Sequence, residues 1–207
     1  MKNLAIMAGV LALGLGACTQ NGVNIGQGFA IDANVAGADV AVAVVKVYDK
    51  TSGAFKGYRS TYTLTNPTVT FNAQPQSVGL NLQTATVEVL DNAGTRYDND
   101  LGRYQRSVSA VVKPGFTCST AGTAIESCDP NSKVPANVAT ILSSTDVKLV
   151  TDEIASQVAS DCSSVGCPTL KLKVTFTGVD TAGRAQSITV AGATLGASVT
   201  SVASVTE

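Results

Sequence analysis

Four of the five arginines (Arg59, Arg96, Arg103, Arg106) and four of the five tyrosines (Tyr58, Tyr62, Tyr97, Tyr104) fall between residues 58 and 106. They include three adjacent pairs: Tyr58-Arg59, Arg96-Tyr97 and Arg103-Tyr104. Both types are enriched at interface hot spots, because each offers broad apolar contact together with fixed hydrogen-bond donors. The chemistry they suit is recognition. If antiparallel strands lay these segments side by side, they form one partner-binding patch. The competing reading places half-buried tyrosines at strand ends and lets the arginines point into water.

Catalysis has little to work with. The chain contains no histidine, so Ser-His-Asp and Cys-His devices, a neutral-pH imidazole base and histidine-held copper, iron or zinc are all excluded. A carboxylate-pair glycosidase needs no histidine. Yet only Glu88, Glu126, Glu153 and Glu207 are glutamates, and no tryptophan exists to stack on a sugar ring. Glu88 alternates out of a strand between Val87 and Val89, toward solvent. We therefore expect no enzyme and no cofactor. Asp98-Asn99-Asp100, close to Asp91, could collect calcium through oxygen ligands. The run lacks the glycine and the distal bidentate glutamate of an EF-hand loop, and reads as a solvated turn.

At the N-terminus, Lys2 precedes an apolar stretch from Leu4 to Leu15, broken by Gly9 and Gly14. It is well short of the roughly 20 residues of a bilayer-spanning helix. With Leu15-Gly16-Ala17-Cys18 behind it, the segment resembles a bacterial lipoprotein signal peptide and its lipobox. The resemblance implies cleavage before Cys18, a diacylglycerol on its sulfur and a fatty acid on the new amino terminus. Thr19 after the cysteine, by analogy with enteric lipoprotein sorting, implies the outer membrane. Residues 18–28 then form a lipidated, polar, glycine-rich tether.

Removing residues 1–17 from 207 leaves 190, and of the 14 basic residues only Lys2 departs, so 13 face 15 acidic ones. No basic block exists to track phosphates, which argues against nucleic acid, and membrane attachment must come from the lipid. Of the five cysteines, Cys118, Cys128, Cys162 and Cys167 remain for an oxidising compartment and read as two disulfides. Three pairings are possible. Cys118–Cys128 and Cys162–Cys167 are favoured, since each staples a local loop. Zinc would need an unusually spaced four-thiolate site, there being no Cys-x-x-Cys.

The elements that must position these residues are strands. Leu170, Leu172, Val174 and Phe176 alternate with Lys171, Lys173, Thr175 and Thr177, the period of a strand with one face in the core. Tyr62 and Leu64, Val69 and Phe71, Leu80 and Leu82, Val87 and Val89, and Val108 and Ala110 repeat the pattern. Ala38 to Val47 carries Val and Ala on both faces, which suggests a strand covered on both sides or packed between sheet and neighbour. Asp91-Asn92-Ala93-Gly94 and Asp180-Thr181-Ala182-Gly183 each follow a strand and place glycine where a hairpin needs positive φ. Thr151 to Cys162 breaks the pattern: Thr151 is an N-cap, acids follow it, and Ile154 and Val158 lie four apart, which predicts a short helix. Residues 114–136, with Pro114, Pro130 and Pro135, read as a long stapled loop.

Many short strands with regular turn signals predict an all-β, antiparallel sandwich over residues 29–207, with one short helix and a disulfide-stapled loop. Two smaller sandwiches split near residue 115 are the alternative. The strand–Asp-x-Ala-Gly–strand unit at 169–192 resembles the last two strands of bacterial immunoglobulin-like domains, without the buried tryptophan and central cysteine pair of antibody domains. The expected function is that of a non-catalytic, lipid-anchored envelope protein that docks on a larger surface assembly such as an S-layer, pilus or outer-membrane complex. A ligand- or glycan-binding adhesive module is the alternative.

Overall fold

A computed structural model of the chain describes residues 28–98 and 101–207. Eleven strands and one helix run in the order β1 (Ile31–Ala36), β2 (Ala38–Tyr48), β3 (Phe55–Thr65), β4 (Thr68–Ala73), β5 (Leu80–Leu90), β6 (Arg103–Val112), β7 (Phe116–Cys118), β8 (Lys133–Pro135), β9 (Val138–Leu142), α1 (Asp152–Asp161), β10 (Leu170–Asp180) and β11 (Ala185–Thr206). The fold is all-β and sandwich-like. A six-stranded sheet has the order β3-β2-β11-β10-β5-β6, and a three-stranded sheet the order β1-β4-β9. All pairings are antiparallel except β2 with β11, which is parallel. Strands from both sides of residue 115 share the large sheet and one core.

The period-two pattern does what it predicts in β10. Leu170, Leu172, Val174 and Phe176 are all fully buried, while Lys171, Lys173, Thr175 and Thr177 face outward. Phe176 meets Phe71 of β4 edge-to-face, with ring centroids 5.1 Å apart, which joins the two sheets. Each such large apolar side chain contributes on the order of 1.5–3 kcal/mol by leaving water.

β2 differs from its expectation. It lies between β3 and β11 within the sheet, and Val40, Val42 and Val44 are buried on the inner face. Its outward Ala41, Ala43 and Val45 remain half-exposed. Small side chains crowd both faces of this strand, but among the described residues its cover is one-sided.

The helix forms as its caps dictate. The Thr151 hydroxyl accepts the Ile154 amide at 3.2 Å, and Asp152 and Glu153 occupy the first turn, where the helix dipole favours negative charge. Ile154, Ala155, Val158 and Ala159 are buried, and α1 packs on β3 and β2. Residues 114–136 are more ordered than a loop: β7 and β8 pair, with two 3-10 turns between them (Ile125–Ser127 and Pro130–Ser132). The disulfide Cys118–Cys128 ties β7 to the end of the first turn, and Cys162–Cys167 closes the segment between α1 and β10. Both pairings are the local ones.

The Asp180 turn joins β10 to β11 directly. The Asp180 side chain is buried, and its carboxylate accepts the amides of Ala182 and Arg184, the Arg184 guanidinium and the Gln186 side-chain amide. Gly183 has φ +80° and Gly94 of the sister turn +83°. After the Asp91 turn Arg96 bridges Leu90, the Tyr97 amide donates to the Val89 carbonyl, and pairing with β5 resumes at Arg103 as β6.

Candidate functional site

The arginine and tyrosine pairs lie in two places. Tyr58 and Arg59 stand on β3, one edge of the large sheet; Arg103 and Tyr104 stand on β6, the opposite edge, with Arg96 and Tyr97 in the loop before it. The adjacent pairs split further, because neighbours along a strand point to opposite faces.

Three tyrosines turn inward and hold α1. The Tyr62 hydroxyl donates to the Asp152 carbonyl at 3.1 Å. The Tyr104 hydroxyl donates to the Leu149 carbonyl at 2.5 Å, and Tyr97 donates to the Asp161 carboxylate. The helix is therefore fastened at its approach, its first turn and its last residue by strands and a loop from both sheet edges. Burial, with smaller effects from nearby charges, pushes the Tyr104 phenol up to about 12. Burial and the Asp161 carboxylate raise Tyr97 as well. Arg106 lies over the Tyr104 ring, 5.6 Å from its centroid. An open cleft of about 500 Å³ lies at the start of α1, with Asn66, Arg106, Lys148, Asp152 and Glu153 on its walls. Cations and carboxylates are balanced there. No residue spacing along the chain announced this cleft.

Arg96 and Arg103 meet on the outer face of the large sheet. Glu88 of β5 receives Lys173 of β10 at 2.8 Å, Arg103 at 3.6 Å and Arg96 at 3.9 Å. Glu88 is thus not simply solvated. It is half-buried among three cations, because Lys173 and Arg103 are its cross-strand partners on either side. The Lys173 hydrogen bond is the main cause that holds the Glu88 carboxyl below the usual glutamate range. Gly102 precedes Arg103 in the loop that enters β6. A Cβ there would lie 1.9 Å from the Tyr97 carbonyl oxygen, so the glycine permits a close backbone approach inside the loop.

The β3 edge carries the exposed aromatic surface. Tyr48 and Phe55 are direct cross-strand partners with centroids 5.7 Å apart, and Phe55 meets Tyr58 at 5.1 Å, both edge-to-face. Phe55 is 50% exposed and Tyr58 45%. Phe55 and Tyr48 are the residues that the tyrosine and arginine count passed over; their register across the β2–β3 hairpin was the signal available for them. Arg59 is committed within the chain: its guanidinium reaches across β2 to grip the Glu207 carboxylate with two bonds of 2.9 and 2.8 Å. Lys56 adds a bond to the Glu207 carbonyl at 3.1 Å.

The carboxylates considered for calcium are placed as follows. Asp91 uses one oxygen to accept the amides of Ala93 and Thr95, which shapes its turn. Asp98 sits at φ +48°, and its carbonyl accepts the Gly102 amide. Asp100 lies outside the described residues. Among the described residues no group of three or more Cys, Asp or Glu side chains is arranged to hold a metal ion. Cys18 and its lipobox also lie outside them. No described helix is long and apolar enough to cross a membrane.

No known protein family matches the sequence, and no curated protein is similar to it.

Proposed function

We propose that this protein is a non-catalytic cell-envelope lipoprotein, anchored through Cys18, whose sandwich docks on a larger surface assembly such as an S-layer, pilus or outer-membrane complex. The observation that supports docking is the Tyr48–Phe55–Tyr58 cluster, with Phe55 and Tyr58 half in water. Clustered aromatic side chains left exposed on a strand edge mark interaction sites, since a partner that covers them gains the transfer of the apolar area still in water.

The test is site-specific photo-crosslinking in the native envelope, with the photoreactive residue at Phe55 and, as the control, at Thr189 on the outer face of β11. One dominant protein adduct at Phe55 that is absent at Thr189 is expected. Phe55→Ala with Tyr58→Ala should weaken that association at least ~10-fold, a hot-spot-sized loss, with the circular dichroism spectrum of the folded chain unchanged. The same adducts at both sites would remove the reading. Selective binding to a glycan array, abolished by the same pair of changes, would move it to the adhesive alternative.

A further inference from the structure

β11 is 22 residues long and has two halves with different neighbours. Ala185–Leu195 pairs with β10, whose ladder ends at Leu170 opposite Leu195. Leu195–Thr206 pairs with β2. From Gly196 to Thr206, β2 is the one strand alongside β11 among the described residues, so the opposite edge of these 11 residues offers its backbone groups to solvent. Every side chain from Thr200 to Thr206 is exposed.

Long edge strands in soluble domains are usually guarded by lysines, prolines, inward charges or brevity, because an unpaired edge templates pairing with another chain. Here the guards are missing. Ala185 to Thr206 contains no charged residue and no proline; a single register shift near Thr200 is the one irregularity along the β2 pairing. The edge is also held extended to its end. The Glu207 amide donates to the Tyr48 carbonyl, the Lys50 amide donates to the Glu207 carbonyl, and Arg59 and Lys56 clamp Glu207 across the sheet. A strand already ordered loses little further entropy on pairing.

We propose that this edge pairs antiparallel with the same edge of a second copy, which makes an isologous dimer and continues the large sheet from one protomer into the next. The composition favours this occupant. Antiparallel self-pairing sets Val, Ala, Ser and Thr against one another with no like charges opposed, and the one flanking carboxylate, Glu207, is neutralised within its own chain. Val202, 48% exposed, is the most exposed large apolar side chain of the edge. A two-fold axis at Val202 sets it against its own mate and takes both out of water. The dimer does not depend on the aromatic docking surface, and either can fail alone.

The experiment is a cysteine scan of the full chain at residues 199, 201, 202, 203 and 205, oxidised mildly in the membrane and after detergent extraction, with the unsubstituted chain as control. Directly opposed antiparallel residues have Cα atoms about 4.5–5.5 Å apart, inside the disulfide range. A symmetric pair therefore gives cross-linked homodimer that peaks at Val202→Cys and falls on both sides. Light scattering of the extracted protein should show dimer, and Ala203→Lys should raise its dissociation constant at least ~10-fold without altering the circular dichroism spectrum. A monomer at every concentration, cross-linking that is flat along the scan, a peak elsewhere than Val202, or a dimer indifferent to Ala203→Lys would each overturn the proposal.

Discussion

Tyr104 separates a surface role from a structural one. Its phenol donates to the Leu149 carbonyl at 2.5 Å, and its ring packs partly buried against the core. Tyr104→Phe keeps the ring and removes the donor. A neutral hydrogen bond contributes about 0.5–1.5 kcal/mol net, and an orphaned carbonyl costs about 1–3 kcal/mol, so the expected loss is about 1–2 kcal/mol. Tyr104→Ala also removes the ring. Full burial would put that change at about 3–5 kcal/mol; a half-buried ring brings it to about 3 kcal/mol. For a chain of this size about 2–4 °C of melting temperature accompany each kcal/mol. Arg103→Ala is the contrast. Its side chain is 57% exposed and 3.6 Å from Glu88, and such exposed pairs are worth about 0–1 kcal/mol. Urea unfolding of the three variants, followed by circular dichroism, measures all of this. Tyr104→Ala within about 0.5 kcal/mol of the parent would refute the clamp and return Tyr104 to the surface. The pH dependence gives an independent check. The Tyr104 phenol titrates near 12 in the folded chain and near 10 when unfolded. Between those values the unfolded state binds fewer protons, so stability falls as pH rises from about 10 to 12. Tyr104→Phe should flatten that slope in part, leaving the share of Tyr97, which is raised as well.

At the other end of the pH scale, burial alone would raise Asp180, but the amide and side-chain bonds from Arg184, Gln186 and Ala182 outweigh it and hold the carboxyl at about 2. Its contribution to stability should be complete above about pH 4 and be lost as pH falls toward 2, as measured by thermal melts across that window. Asp180→Ala should lower the melting temperature more than Asp91→Ala, because the buried Asp180 holds four donors and the half-exposed Asp91 two; equal losses would refute the difference. Replacing Cys118 and Cys128 together by Ser should cost up to about 2.7 kcal/mol for a separation of 10 residues, and Cys162 with Cys167 up to about 2 kcal/mol for 5, read by urea unfolding. Intact mass should exceed the polypeptide that begins at Cys18 by its acyl groups, and Cys18→Ala should release the protein from the membrane.

Local chemistry was legible from the residues in order. Leu170 to Phe176 alternates and forms a strand; Asp180 to Gly183 turns it back; Thr151 caps a helix; each of the four described cysteines pairs with its nearest neighbour. In every case the interacting groups are within about ten residues, and the period of the backbone decides which side chains share a face. The arrangement of the recognition residues was not legible. Whether Arg59 meets Arg103 depends on strand order, and whether Glu88 meets Lys173 depends on a register between segments 85 residues apart in the chain. The parallel pairing of β2 with β11 joins residues more than 150 apart and leaves half of β11 without a second neighbour. No local pattern encodes that edge, because a strand's alternation records which face is buried and is silent about what lies beside it. Strand order and register were settled by packing two sheets and a helix around Phe71, Phe176 and Ile154, a property of the whole chain at once.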